Sequence, residues 1–190
     1  INLFNFMDGI NGITGLYSLA VLFGFYIINL NENLISSALI IYVAISVIIF
    51  GFYNFRKKAL FFAGDVGSIT IGMLVFFVGL YFTEKLSSPL ILLLIIVYGT
   101  DTSLTLLYRK FFTKENIFEP HRHHIYQKLV DVKKLSHLKI SLIYAIIQVF
   151  VNLLIYKTYT LSLEIQLIVF SILVLVFFGI YVYLFKKLKI

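Results

Sequence analysis

Six apolar stretches leave this chain few ways to fold: about Ile13 to Leu30, Ile35 to Tyr53, Val66 to Thr83, Pro89 to Leu107, Ile140 to Tyr156 and Ile165 to Phe185. Each approaches the roughly 20 residues that an α-helix needs to cross about 30 Å of hydrocarbon. None alternates apolar and polar residues, as a lipid-facing barrel strand does over about 10 positions. Hydrophobic residues make up 61% of the 190 and charged residues only 13%, whereas a water-soluble domain is typically about half apolar. The expected fold class is therefore all-α: a polytopic membrane helix bundle, one membrane domain over residues 1–190 with a loop at 108–139. Pro89 suits a first helical turn, where its missing N–H costs no hydrogen bond.

The chain has no cysteine, which rules out disulfides and thiolate metal ligands, so any metal must be held by oxygen or imidazole. It opens on Ile1 without a signal-peptide pattern, and the expectation is a C-terminal part of a longer protein. The basic residues set the orientation. With the first segment on side one, Lys85 and Lys157 fall on the far side and every other Lys and Arg, from Arg56, Lys57 and Lys58 to Lys189, on the near side. Loops rich in Lys and Arg stay in the cytoplasm, so the near side is expected to be cytoplasmic. The net charge of +7 then reads as a topology signal, and no nucleic-acid partner is expected, because the basic residues flank spans instead of forming a stripe.

Acidic residues sort by depth. Glu32, Glu84 and Glu164 fall in far-side loops, where solvated charge explains them. Asp8, Asp65 and Asp101 each adjoin or enter an apolar run, where a carboxylate costs at least about 2.5 kcal/mol and normally has a partner or a task. Asp65 lies in "FFAGDVGSITIG", bracketed by Gly64 and Gly67, with a helix expected to begin immediately after it. Glycine lets a ligand approach the backbone, and a helix start offers unpaired N–H groups to phosphate. A carboxylate beside a phosphate fits Mg²⁺, which typically takes one or two carboxylates plus phosphate oxygens and water. "NFMDGING" repeats the arrangement, with Asp8 followed by Gly9, Gly12 and Gly15. The third element is "EPHRHHIYQKL", where His121, His123 and His124 surround Arg122. Their spacing does not suit a helical zinc site, whereas a guanidinium among imidazoles suits phosphate. Asp101, with Thr105 and Tyr108 on its helical face, stands either as a substrate contact or as a group that positions this loop.

Taken in order, "NLFNFMDGINGI", "FFAGDVGSITIGMLV", "DTSLTLLYRKFF" and "PHRHHIYQKL" resemble the near-side motifs of the polyprenyl-phosphate N-acetylhexosamine-1-phosphate transferases, glycosyltransferase family 4. The resemblance runs from Asn2 to about Leu129. It implies transfer of a sugar 1-phosphate from a UDP-sugar to a polyprenyl phosphate in the bacterial inner membrane, on the cytoplasmic face, with release of UMP and a need for Mg²⁺, or Mn²⁺ in its place. It implies that Asp65 is the metal ligand and that Asp8 acts on the acceptor or at the catalytic centre. His121, Arg122 and His124 match the motif held to bind diphosphate and sugar. Phe62 matches an aromatic position that stacks on uracil, and Asn5, Gly9, Asn11 and Asn54 fall at or near the nucleotide pocket. A homodimer is compatible with the resemblance.

The chain also departs from the pattern. Many members read "DGLDG" where this chain reads "DGING", so Asn11 replaces a pocket carboxylate and altered base contacts are expected. "HRHHIYQ" lacks the glutamate of the peptidoglycan-precursor branch, which favours initiators of O-antigen or other surface polysaccharides, using UDP-GlcNAc or a related donor. The family's early aspartate pair has no counterpart in residues 1–190, from which the expectation is that this stretch alone is inactive. Two other readings stand beside this one: a transporter fragment with intramembrane carboxylates, and an inactive truncated family member.

Overall fold

The computed structural model describes residues 2–113 and 122–188. His121 lies outside them, so its expected role has no structural counterpart here. Among the described residues there is no strand, and six helical segments are long and apolar enough to cross a membrane. A short helix α1 (Asn2–Phe6) precedes α2 (Ile13–Glu32), α3 (Ser37–Asn54) and α4 (Gly64–Leu86). The fourth crossing is composite: a 3-10 segment Pro89–Ile95, then α5 (Ile96–Tyr108), then a π-helical turn Arg109–Thr113. After it come α6 (Ile125–Asp131), α7 (His137–Thr158) and α8 (Leu163–Leu188). The protein is thus an all-α, multi-pass membrane bundle, and each expected run corresponds to one of its six spans; only the second begins earlier than its helix, with Ile35 and Ser36 preceding α3. Within the expected 108–139 loop, part of the chain is the short helix α6.

Helix α2 is the axis of the bundle, packed against α7 on one side and α3 on another. The approach to α7 is close at Gly24, where a Cβ would meet the Asn152 amide at 2.8 Å and Leu94 at 2.9 Å. Small residues of this kind let membrane helices draw together, and polar groups then bond across the contact. Asn152 does so, donating to the Ala20 carbonyl at 2.7 Å. Helices α3 and α8 lie at the periphery and turn Ile, Leu and Phe side chains outward, as a face toward lipid requires.

The break in the fourth crossing positions the site. Pro89 starts the 3-10 turns, and Ile95 leaves helical geometry at φ −128°. Backbone groups freed at such a break have no water to bond and must be satisfied by protein. Gln148, halfway along α7 and fully buried, meets that need. Its Oε1 accepts from Val97 N–H at 3.2 Å, and its Nε2 donates to the Leu93 carbonyl at 3.1 Å. The Tyr17 hydroxyl accepts from Tyr98 N–H at 3.2 Å and donates to Gln148 Oε1 at 2.6 Å. The Tyr17 and Tyr98 rings stack at 3.5 Å. These mid-span polar side chains are neutral and occupied in repairing the backbone.

Loops alternate between two ends. At one, Tyr159 donates to Glu32 and Ser88 to Gln166. At the other gather α1, the turn 7–12, the 55–63 loop, the start of α4, the end of α5, and α6.

Candidate active site

Two clusters occupy that second end. The first is built on Asp65 and Asp8. Gly64 has φ +61°, a conformation that glycine adopts without strain, and α4 begins at Gly64 itself. The helix thus starts two residues earlier than expected, and Asp65 sits in its first turn, where a carboxylate suits the positive end of the helix dipole. Helix α1 reaches across to it: Asn5 Nδ2 donates to Asp65 Oδ1 at 2.7 Å and to Ser68 Oγ at 3.2 Å. Asp65 is exposed, while Asp8 is half-buried and accepts from the Thr14 hydroxyl at 2.5 Å. Burial pushes the Asp8 carboxyl above the usual carboxylate range, and the negative charge of Asp65 adds to the rise. The Thr14 hydroxyl and the Gly64 backbone N–H act the other way and favour the charged form.

The second cluster is built on Asp101, which is wholly buried. Its Oδ1 accepts from Ile125 N–H at 3.1 Å and from Thr105 at 3.3 Å, and its Oδ2 accepts from the Tyr144 hydroxyl at 2.7 Å. His124 Nδ1 lies 3.2 Å from Oδ1, within hydrogen-bond reach. All of these contacts are with the protein itself, and through them Asp101 ties the end of α5 to α6 and α7. Thr105 shares in this, as its place four residues on suggests, whereas Tyr108 turns instead to Phe112, His123 and Phe185. His124 stands at the N-cap of α6, where its backbone N–H donates to Gln127 Oε1 at 3.3 Å.

Arg122 is exposed and held by Asp131 in a fork, with Nε and Nη2 each 2.9 Å from one carboxylate oxygen. The guanidinium holds the Asp131 carboxyl below its usual range.

Gly9 joins the two clusters. A Cβ there would collide with the Tyr126 hydroxyl and come within 3.2 Å of Gln127 Nε2, so glycine is what lets α6 close over the turn that carries Asp8. Asn11 and Asn54 are nearly buried, and their amides are engaged with the backbone of the 55–63 loop. Phe62 is 54% exposed. It borders an apolar groove of about 470 Å³ between α2, α3 and α4, whose lining includes Thr14, Val47, Phe50 and Val66.

Thr14, Ser68, Tyr126 and Tyr144 belong to the site but did not stand out in the sequence. Ser68 could have been found as the hydroxyl one helical turn after Asp65; Tyr144 carried no local signal, since its partner is 43 residues away. Arg109, at the end of the fourth crossing, is also almost wholly buried. No group of three or more His, Asp or Glu able to hold a metal occurs among the described residues. The Asp8 and Asp65 pair still offers what a hard cation takes: carboxylate oxygen donors, one of the two groups exposed, with the charge of Asp65 close enough to oppose ionisation of Asp8.

A multi-pass helical membrane protein with carboxylates and imidazole gathered at one end is the class that fold and site define. Residues 1–83 match the model of Glycosyl transferase family 4, a stretch that holds the Asp8 and Asp65 turns and ends before Asp101. No curated protein and no solved structure matches the chain.

Proposed function

We propose that this chain belongs to a transferase of that family, moving an N-acetylhexosamine 1-phosphate from a UDP-sugar to a polyprenyl phosphate. The observation that carries the reading is the convergence of two glycine-flanked aspartates, Asp8 and Asp65, at one end of a membrane bundle, within the matched stretch. An acceptor with a long prenyl chain requires a site at the membrane surface, and a nucleotide donor requires that the site open to water.

The reaction joins an oxygen of the acceptor phosphate to the β-phosphorus of the donor. The bond from that phosphorus to the bridging oxygen breaks, and UMP leaves with the electron pair. Such a transfer asks little covalent chemistry of the protein and much positioning and charge neutralisation. Asp65, with Asp8 beside it, would hold Mg²⁺, or Mn²⁺, which when bound neutralises phosphate charge. Asp8 stands at the acceptor phosphate, its raised carboxyl suited to holding or taking a proton. His124, oriented by Asp101, and Arg122 serve the donor diphosphate together with His121. Phe62 offers its exposed ring to the base. UDP-GlcNAc or a related UDP-N-acetylamino sugar is the donor, undecaprenyl phosphate the acceptor, and a surface polysaccharide the destination. The excess of basic residues at this end supports a position on the cytoplasmic side of the bacterial inner membrane.

The test is UMP release from UDP-GlcNAc by membranes containing the complete protein, with undecaprenyl phosphate and Mg²⁺. Release should stop with EDTA and fall at least about 10³-fold for Asp65→Asn, as for loss of a principal charge-stabilising group. Glu84→Gln, at the opposite end, should leave it unchanged. Equal effects of the two substitutions would overturn the proposed site.

A further inference from the structure

Asn11 stands where the commoner pattern has a carboxylate lining the nucleotide pocket, and its surroundings give it different work. Its side chain is 5% exposed. Both hydrogens of the amide are directed at main-chain carbonyls of the 55–63 loop: Nδ2 donates to Arg56 O at 2.9 Å and to Lys57 O at 3.2 Å. Its backbone is tied to α7, with Ser141 Oγ donating to Asn11 O at 2.8 Å and Asn11 N–H directed at His137 Nδ1 at 3.4 Å. The next residue continues the pattern. Gly12, at φ +83°, donates its N–H to Asn54 Oδ1 at 2.7 Å, and Asn54 Nδ2 donates to Phe61 O at 2.9 Å. Two amides thus clip both ends of one loop, and that loop delivers Phe62 and then Asp65.

The chemistry of the clip excludes the carboxylate. Two carbonyl oxygens face Nδ2, and an ionised aspartate, which only accepts, would set negative charge against both of them. An amide is the side chain of that size and shape that can donate twice.

We infer that Asn11 is a positioning residue: it acts on the donor through the 55–63 loop, holding Phe62 and Asp65 in place, and does not read the nucleobase. The consequence for the donor rests on the transferase reading; the clip itself does not.

Trypsin reads the clip without any activity, because Arg56, Lys57 and Lys58 are cleavage sites inside the loop. In the complete protein in detergent, Asn11→Asp should speed cleavage at these sites about tenfold, and Asn11→Ala by less, as donors are lost without or with added charge. In the UMP-release assay Asn11→Asp should raise the donor KM about tenfold while the acceptor KM stays within about twofold, and the preference for UDP- over CDP-sugar should not move. Combined with Phe62→Ala, the two effects should be less than additive, because they act through one loop. Unchanged cleavage together with an altered base preference would overturn the inference and make Asn11 a base contact. Loss of monodisperse protein for both variants would also overturn it, by making Asn11 a residue of the global fold. Wild-type protein that releases no UMP but shows the expected cleavage pattern would sink the transferase reading and leave the clip standing.

Discussion

At the scale of single residues, the site depends on what a buried carboxylate holds together. Asp101 has donors from α5, α6, α7 and His124, so removing it strands several at once. Asp101→Ala should cost about 2–3 kcal/mol and Tyr144→Phe about 1 kcal/mol, in line with buried hydrogen-bond deletions, measured as thermal unfolding in detergent. Equal losses would mean that Tyr144 and not Asp101 is the anchor. Arg122 is the opposite case, an exposed pair with Asp131. The folded-state carboxyl of Asp131 lies below its usual range, so the stability it adds is present above the ordinary carboxylate pKa and fades as pH falls through the lowered value. An exposed pair contributes at most about 1 kcal/mol. On the proposed transferase reading Arg122 exchanges that partner for the donor diphosphate, so Asp131→Asn should lower the donor KM by up to about fivefold. A higher KM would show that Asp131 presents Arg122 and does not compete for it. That Asp101 would have a partner was legible from its depth, and Thr105 on its helical face is one of the groups that bond to it. The work of Asn11 and Asn54 was not: an amide's partners across 45 or 42 residues leave no mark in local sequence.

At the scale of elements, the six spans were readable because uninterrupted apolar length admits one structure in a bilayer. The break in the fourth was readable only at Pro89. Where 3-10 turns give way to α5 depends on Gln148, 51 residues from Val97. Gln148→Leu keeps the span apolar but leaves Val97 N–H, Leu93 O and Tyr17 OH short of a partner. It should cost about 1–3 kcal/mol in detergent unfolding. A neutral effect would mean that the break repairs itself, through water or a shift of register. Since α5 carries Asp101, the damage should reach the His124 cluster before the Asp65 cluster.

At the scale of the whole molecule, packing of α2 on α7 brings together stretches that the chain keeps far apart. The Asp8 turn enters α2, His137 begins α7 beside Asn11, and Gly9 fits under Tyr126. The glycine-bracketed aspartates could be seen to share a side from the charge pattern, but their joining through Asn5 required the fold. The absence of cysteine makes sidedness easy to test. A single Lys57→Cys should react with an impermeant maleimide only after the cells are opened, and Lys157→Cys should react in intact cells. The reverse result would invert the proposed orientation.

The pair Asn11 and Gly12 has a consequence in covalent chemistry. Asparagine followed by glycine is the sequence most prone to deamidation, which begins when the glycine nitrogen attacks the asparagine side-chain carbonyl and closes a succinimide. Here that nitrogen is donated to Asn54 and the amide is held by two carbonyls. The turn is thereby shielded from ageing for as long as it stays closed. Once it opens, the same two residues convert the clip into the carboxylate that cannot hold the loop, so each lasting excursion becomes irreversible. Peptide mapping should find Asn11 intact in native protein and deamidated after thermal stress; the same rate in both states would show that the turn gives no protection.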